Sequence, residues 1–235
     1  MTHEISLFDG AAWYAVFLFS TTVHEASHAY AALRLGDDTA YRGGQVSLDP
    51  TPHIKREPFG MVIVPLLSYL LGGWMIGWAS APYDPHWANR YPKRAGLMAL
   101  AGPVSNLALM LMAALLIRVG MLLGLFVAPE FESFDHITES VRGRVPFLLA
   151  VLLSVGFSLN LLLFLFNLFP FPPLDGGSVP LIFLSETAAE KYWEFLRNPG
   201  LTMIGIFVAW RLFDGIYPPV HLFAVNLLYP GMHYE

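Results

Sequence analysis

The chain of 235 residues contains no cysteine. Disulfide staples and thiolate ligands are therefore excluded, and any metal must be held by His, Asp or Glu. Charge is also scarce: 13% of residues are charged and 55% are hydrophobic, with a mean hydropathy of +0.53. Soluble domains carry about a quarter charged residues, so an ordinary water-soluble enzyme is excluded. The net charge of −5 comes without any run of Lys or Arg, which leaves no surface for nucleic acid. Met1 to Asp9 lacks the basic stretch of a secretory leader, and the chain shows no internal repeat or low-complexity tract. Residues 1–235 are expected to form a single integral-membrane domain.

Long apolar runs dominate what is present. A spanning helix needs about 20 mostly apolar residues, and such runs occupy Ile5 to Leu35, Phe59 to Ala81, Ala95 to Val127, Val145 to Phe169 and, interrupted by Arg211, Asp214, Pro218 and Pro219, Leu201 to Tyr229. The expected fold is all-α: a polytopic bundle of about five to six spans, embedded in a lipid bilayer as a multi-pass protein of the cell membrane. Tyr41 to Leu48, after the first helix, reads as a short β-prone hairpin or edge. An extended substrate could pair with that edge. Ser178 to Arg197 reads as amphipathic or interfacial. Lys and Arg fall on both sides of the spans, so the positive-inside rule gives no orientation.

His24-Glu25-Ala26-Ser27-His28 lies inside the first apolar run. On a helix, residues four apart lie one turn apart and about 40° round the axis, so both imidazoles face one point and Glu25 falls on the same side. This is the HExxH pattern, in which two His hold zinc (Zn2+) and the Glu acts as general base. Within a bilayer each ionisable side chain costs about 2.5 kcal/mol or more, so three in five residues call for a cation or a water cavity to offset them. Catalytic zinc usually takes three protein ligands. Asp175, beyond the helix broken by Pro170, Pro172 and Pro173, is the candidate third, or else forms a simple Asp-Gly turn.

The run Asn167-Leu168-Phe169-Pro170-Phe171-Pro172-Pro173-Leu174-Asp175-Gly176, taken with HExxH, resembles the site-2 protease family of intramembrane zinc metalloproteases, in a compact form without PDZ or CBS domains. Gly102-Pro103-Val104-Ser105-Asn106 and Leu48-Asp49-Pro50 with His53 are similar to further elements of that family, and the likeness extends to about Gly177. The resemblance implies that His24, His28 and Asp175 bind zinc, that Glu25 polarises the water, and that Asn167 is the oxyanion partner. Asn167 could equally bond carbonyls freed where its helix ends. Asn106 reads as structural, shaping a helix start with Gly102 and Pro103. His53 is a weaker site candidate, and His3, His86, His136, His221 and His233 lack helical spacing to a second ligand.

The implied function is zinc-dependent hydrolysis of a peptide bond within or near a transmembrane segment of another membrane protein, by a metalloendopeptidase. The alternative is a divalent-metal transporter, or a non-catalytic membrane protein that binds metal. A transporter is expected to repeat ligands along a pathway and to have related halves. Here one catalytic set occurs once.

Overall fold

The computed structural model describes residues 7–196 and 198–235; His3 lies outside them. The first helix, α1, runs Leu7–Leu35, with Asp9 in its first turn and Arg34 in its last, each complementing the helix dipole. It ends at Gly36, whose φ of +105° reverses the chain without a Cβ penalty. Phe17, Thr21, His24 and His28 are buried, and their spacing of four, three and four makes one stripe along α1.

The histidine end of that stripe packs on α6 (Pro92–Leu122), Phe17 packs on α7 (Arg144–Asn167), and α6 in turn packs on α7. These are the two helices long and apolar enough to cross a bilayer, judged by length and composition among the described residues. The face of α6 toward its neighbours is rich in small buried residues, Ala95, Ala99, Gly102 and Ala113 among them, which lets backbones approach closely. A final helix, α9 (Pro199–Leu228), continues through Pro218 and Pro219. At its C-terminus the Arg118 Nη1 donates to the Leu228 carbonyl at 3.1 Å, so this arginine caps a neighbouring helix. Met110, Ile117, Phe157, Leu161, Val225 and Tyr229 form the core between α6, α7 and α9. Outward, Leu111, Leu115, Phe147, Phe207 and Phe223 are exposed, an apolar exterior suited to lipid.

Three sequence expectations are corrected. The segment after α1 is not β-prone: Thr39–Arg42 forms a short helix, α2, and the described strands are instead Phe126–Val127 (β1) and Glu139–Ser140 (β2), paired antiparallel between α6 and α7. The cause is local, because the Asp37 carboxylate accepts both the backbone N–H and the hydroxyl of Thr39 and so starts a helical turn. Beyond it the Gln45 side chain is tied to the Ser80 carbonyl at 3.1 Å, and α3 (Thr51–Arg56) follows.

The second apolar run does not continue to Ala81. It comprises a π-helical turn, Phe59–Ile63, and α4, Val64–Gly72, which stops where Gly73 adopts a φ of +75°. The chain then turns back, and Trp78 N–H donates to the Gly60 carbonyl at 3.2 Å. A Cβ on Gly77 would strike that same carbonyl, so glycine permits the return. The third correction concerns Gly102 and Pro103, which lie in the interior of α6 rather than at a helix start. Two short helices complete the chain: α5 (Pro85–Arg90), capped by Asp84, and α8 (Glu186–Leu196) in the region expected to be amphipathic.

Candidate metal centre

His24 and His28 are both buried on the stripe of α1 that faces α6. The Nδ1–H of His24 donates to the Asn106 Oδ1 of α6, and the Nδ1–H of His28 donates to the Met98 carbonyl at 2.8 Å. With Nδ1 protonated in each neutral ring, both Nε2 atoms are left as bare acceptors, and hydrogen bonding through the other ring nitrogen fixes the ring orientation. These two Nε2 atoms lie 3.0 Å apart.

Asp175 comes from 151 positions away from His24, and its Oδ2 lies 3.1 Å from His24 Nε2 and 3.2 Å from His28 Nε2. It is delivered by a turn of 3-10 helix, Asp175–Gly177, after the proline-broken end of α7. A Cβ on Gly176 would collide with the Leu168 carbonyl and the Phe169 oxygen, so this glycine lets the turn lie directly on the preceding backbone. Gly102 does comparable service on α6: a Cβ there would meet the Nε2 atoms of both histidines.

Three acceptors facing one another across 3.0–3.2 Å would repel unless a cation shares them. A tetrahedral zinc with bonds of about 2.0–2.1 Å separates its ligands by about 3.3 Å, and two imidazoles with one carboxylate form a donor set it accepts. The residues therefore fit the metal. Glu25 is buried on the adjoining side of α1, within 4.8 Å of the histidine ligand atoms.

A polar chain extends behind this triangle. Asn106 Nδ2 donates to Asn160 Oδ1 at 2.8 Å, and Asn160 Nδ2 donates to Ser20 Oγ at 2.9 Å and to the Gly156 carbonyl at 2.7 Å. This chain ties α6, α7 and α1 together around His24, and sequence reasoning missed it. The available signal was the presence of Asn106 and Asn160 inside strongly apolar runs, where an amide demands a partner.

The other candidates stand elsewhere or apart. Asn167 Nδ2 donates to the Leu163 carbonyl at 3.0 Å within its own helix. His53, on α3, is buried rather than solvated, with Nε2 donating to the Ser47 carbonyl of the preceding loop at 3.2 Å. His221 is buried against Ser158 at 2.9 Å, between α7 and α9.

Comparison with known proteins identifies the family. The model of peptidase family M50 matches residues 12–210. YwhC of Bacillus subtilis, named as a candidate zinc metalloprotease, is 32% identical over 223 residues, covering 86% of this chain and 91% of YwhC. Rip2 of Mycobacterium tuberculosis, named in the same way, is 34% identical over 162 residues, 69% of this chain and 53% of Rip2. Rip2 of Mycolicibacterium smegmatis is 30% identical over 187 residues, 77% of this chain and 62% of that protein. The chain thus spans only about half to three-fifths of the Rip2 proteins. No solved structure matches. A family model covering most of the chain, relatives of this identity and a buried His-Glu-His group lead to one assignment: the chain belongs to peptidase family M50, the site-2 protease family, and is a metalloprotease.

Proposed function

We propose that this metalloprotease acts inside the bilayer, hydrolysing a peptide bond within or near a transmembrane segment of another membrane protein. The observation that carries the reading is the triangle of bare acceptors formed by the buried His24 and His28 of α1 and the half-buried Asp175, in a bundle whose outer surface is apolar. In this reading α1 and α9, although less apolar, cross the membrane packed beside α6 and α7, while Phe59–Gly72 enters it and turns back, giving five membrane-embedded segments. The protein is then multi-pass, with a membrane-spanning protein as substrate.

His24, His28 and Asp175 hold the zinc ion. Zinc at such a site acts as a Lewis acid and makes a water nucleophilic near neutral pH. Glu25 accepts the proton of the attacking water and delivers it to the departing amine. Asn106 and the Met98 carbonyl keep the two imidazoles in the tautomer that presents Nε2. Asn167 supplies a neutral donor for the developing oxyanion once its amide turns away from the Leu163 carbonyl. Amides of an intact substrate helix are already hydrogen-bonded, so the substrate must unwind locally, and helix-breaking residues near the scissile bond promote cleavage.

The test uses purified protein in liposomes with a single-span substrate. Cleavage should stop on chelation, return with zinc and vanish in Glu25→Gln. Cleavage that resists chelation, or a fully active Glu25→Gln protein, overturns the reading; zinc flux that survives this substitution would point to transport.

A further inference from the structure

A second cavity, of about 310 Å³, lies between α1, α7, α9 and the returning segment after α4. Phe17, Trp74, Leu163, Trp210 and Phe213 line it, and Asp214 is the charged group in its wall. Trp74 and Trp210 face each other with ring centroids 6.3 Å apart, and Phe166 meets Trp210 edge-on at 6.3 Å. Asp214 is exposed on α9 and makes no ion pair and no hydrogen bond among the described residues, although Arg211, also exposed, stands one turn away on the same helix. A carboxylate left uncompensated on a membrane helix is costly enough to call for a partner of opposite charge.

The backbone adds acceptors at the same place. Asp214 and Pro218 both line the cavity, and the helical hydrogen bond that should join them is missing because Pro218 has no N–H. Pro219 likewise cannot donate to the Gly215 carbonyl. The wall thus combines the Asp214 carboxylate, a lining residue whose carbonyl lacks its usual helical donor, and aromatic faces. This set favours a multi-donor cation on a hydrocarbon stem.

The cavity is also in register with the metal centre. Phe17 lies seven residues before His24 on the same buried stripe, which is about 10.5 Å along the helix axis. An extended peptide covers that distance in about three residues.

We propose that this cavity is a specificity pocket for a lysine or arginine of the substrate, about three residues from the scissile bond. The stem lies among the aromatic rings and the cation meets Asp214. The inference rests on the intramembrane-protease reading above, and its test separates the two.

Single-span substrates carrying Lys, Leu or Glu at each position three or four residues from the scissile bond are reconstituted with the protein. At one of these positions the Lys substrate should exceed the Leu substrate about tenfold in kcat/KM, equivalent to ~1.4 kcal/mol. Asp214→Lys should invert the order in favour of Glu. In parallel, the uncleaving Glu25→Gln protein is titrated with fluorescent versions of the same peptides, and the same preference should appear as tighter binding. Equal kcat/KM and equal binding for all three, or an order that survives Asp214→Lys, overturns the pocket. A Lys preference that exists only in bilayers lacking amine-bearing lipids assigns the cavity to a lipid amine and also overturns it. If no substrate is cleaved while the binding preference inverts with Asp214→Lys, the protease reading fails and the pocket stands.

Discussion

Asn106, in the interior of α6, accepts the Nδ1–H of His24 from α1, 82 positions away in the chain. This bond leaves His24 Nε2 bare toward Asp175, and Asn106 is itself fixed by Asn160. Partners of this kind raise metal affinity about 10–100-fold. Asn106→Leu should therefore weaken zinc binding by about that factor, measured by competition against a chelator in detergent. Unchanged affinity in a folded variant would reduce Asn106 to a packing residue.

Gly102→Ala should abolish the centre while adding a single methyl group. That methyl would occupy the space held by both Nε2 atoms, so the imidazoles must move. Overpacking of this kind costs about 1–3 kcal/mol in stability, whereas displacement of two ligands at once removes the metal site. The expected result is a folded protein, by circular dichroism, with little bound zinc and no cleavage. Normal zinc content would mean that α1 and α6 can separate without loss.

The parts of this molecule legible in its sequence are those set by local spacing. His24 and His28 are one turn apart, so helix geometry alone puts them together, and the apolar runs of α6 and α7 declare their lengths directly. Asp175 is a candidate third ligand on its own residues, but only resemblance favours that over a simple Asp-Gly turn, because nothing local indicates that a chain broken by three prolines returns to α1. Gly102 reads as part of a helix start, since the rings it accommodates belong to residues more than seventy positions away. The segment after α1 misled in the other direction. Its Tyr, Val and Leu content suggests strand, yet the Asp37 carboxylate holding Thr39 outweighs that preference over so few residues. The second apolar run reads as a full span because hydropathy does not register the left-handed Gly73, where the helix stops.

Asn167 has two roles that one variant can separate. Its amide now bonds the Leu163 carbonyl at 3.0 Å, which suits a helix about to be broken at Pro170. If it also meets the oxyanion, Asn167→Ala should lower kcat by about 10²–10³ with KM and zinc content unchanged. If it only secures the helix end, the unfolding temperature should fall and kcat should hold. Reading both quantities in the same preparation decides between these outcomes.

Thr22 gives a prediction of opposite sign. It is 1% exposed on α1, and its hydroxyl finds no hydrogen-bond partner among the described residues. A buried hydroxyl without a partner costs about 1–3 kcal/mol, and valine has nearly the same shape without the polar atom. Thr22→Val should therefore raise the unfolding temperature in detergent by a few degrees, about 2–4 °C for each kcal/mol in a chain of this size. Thr22 lies three residues before Glu25, so the same variant also reports on the site. A gain in stability with cleavage retained marks the hydroxyl as a penalty the fold tolerates. A lower unfolding temperature would mean that the hydroxyl is satisfied in the working protein, and the assignment of Thr22 as an unpartnered group would fall.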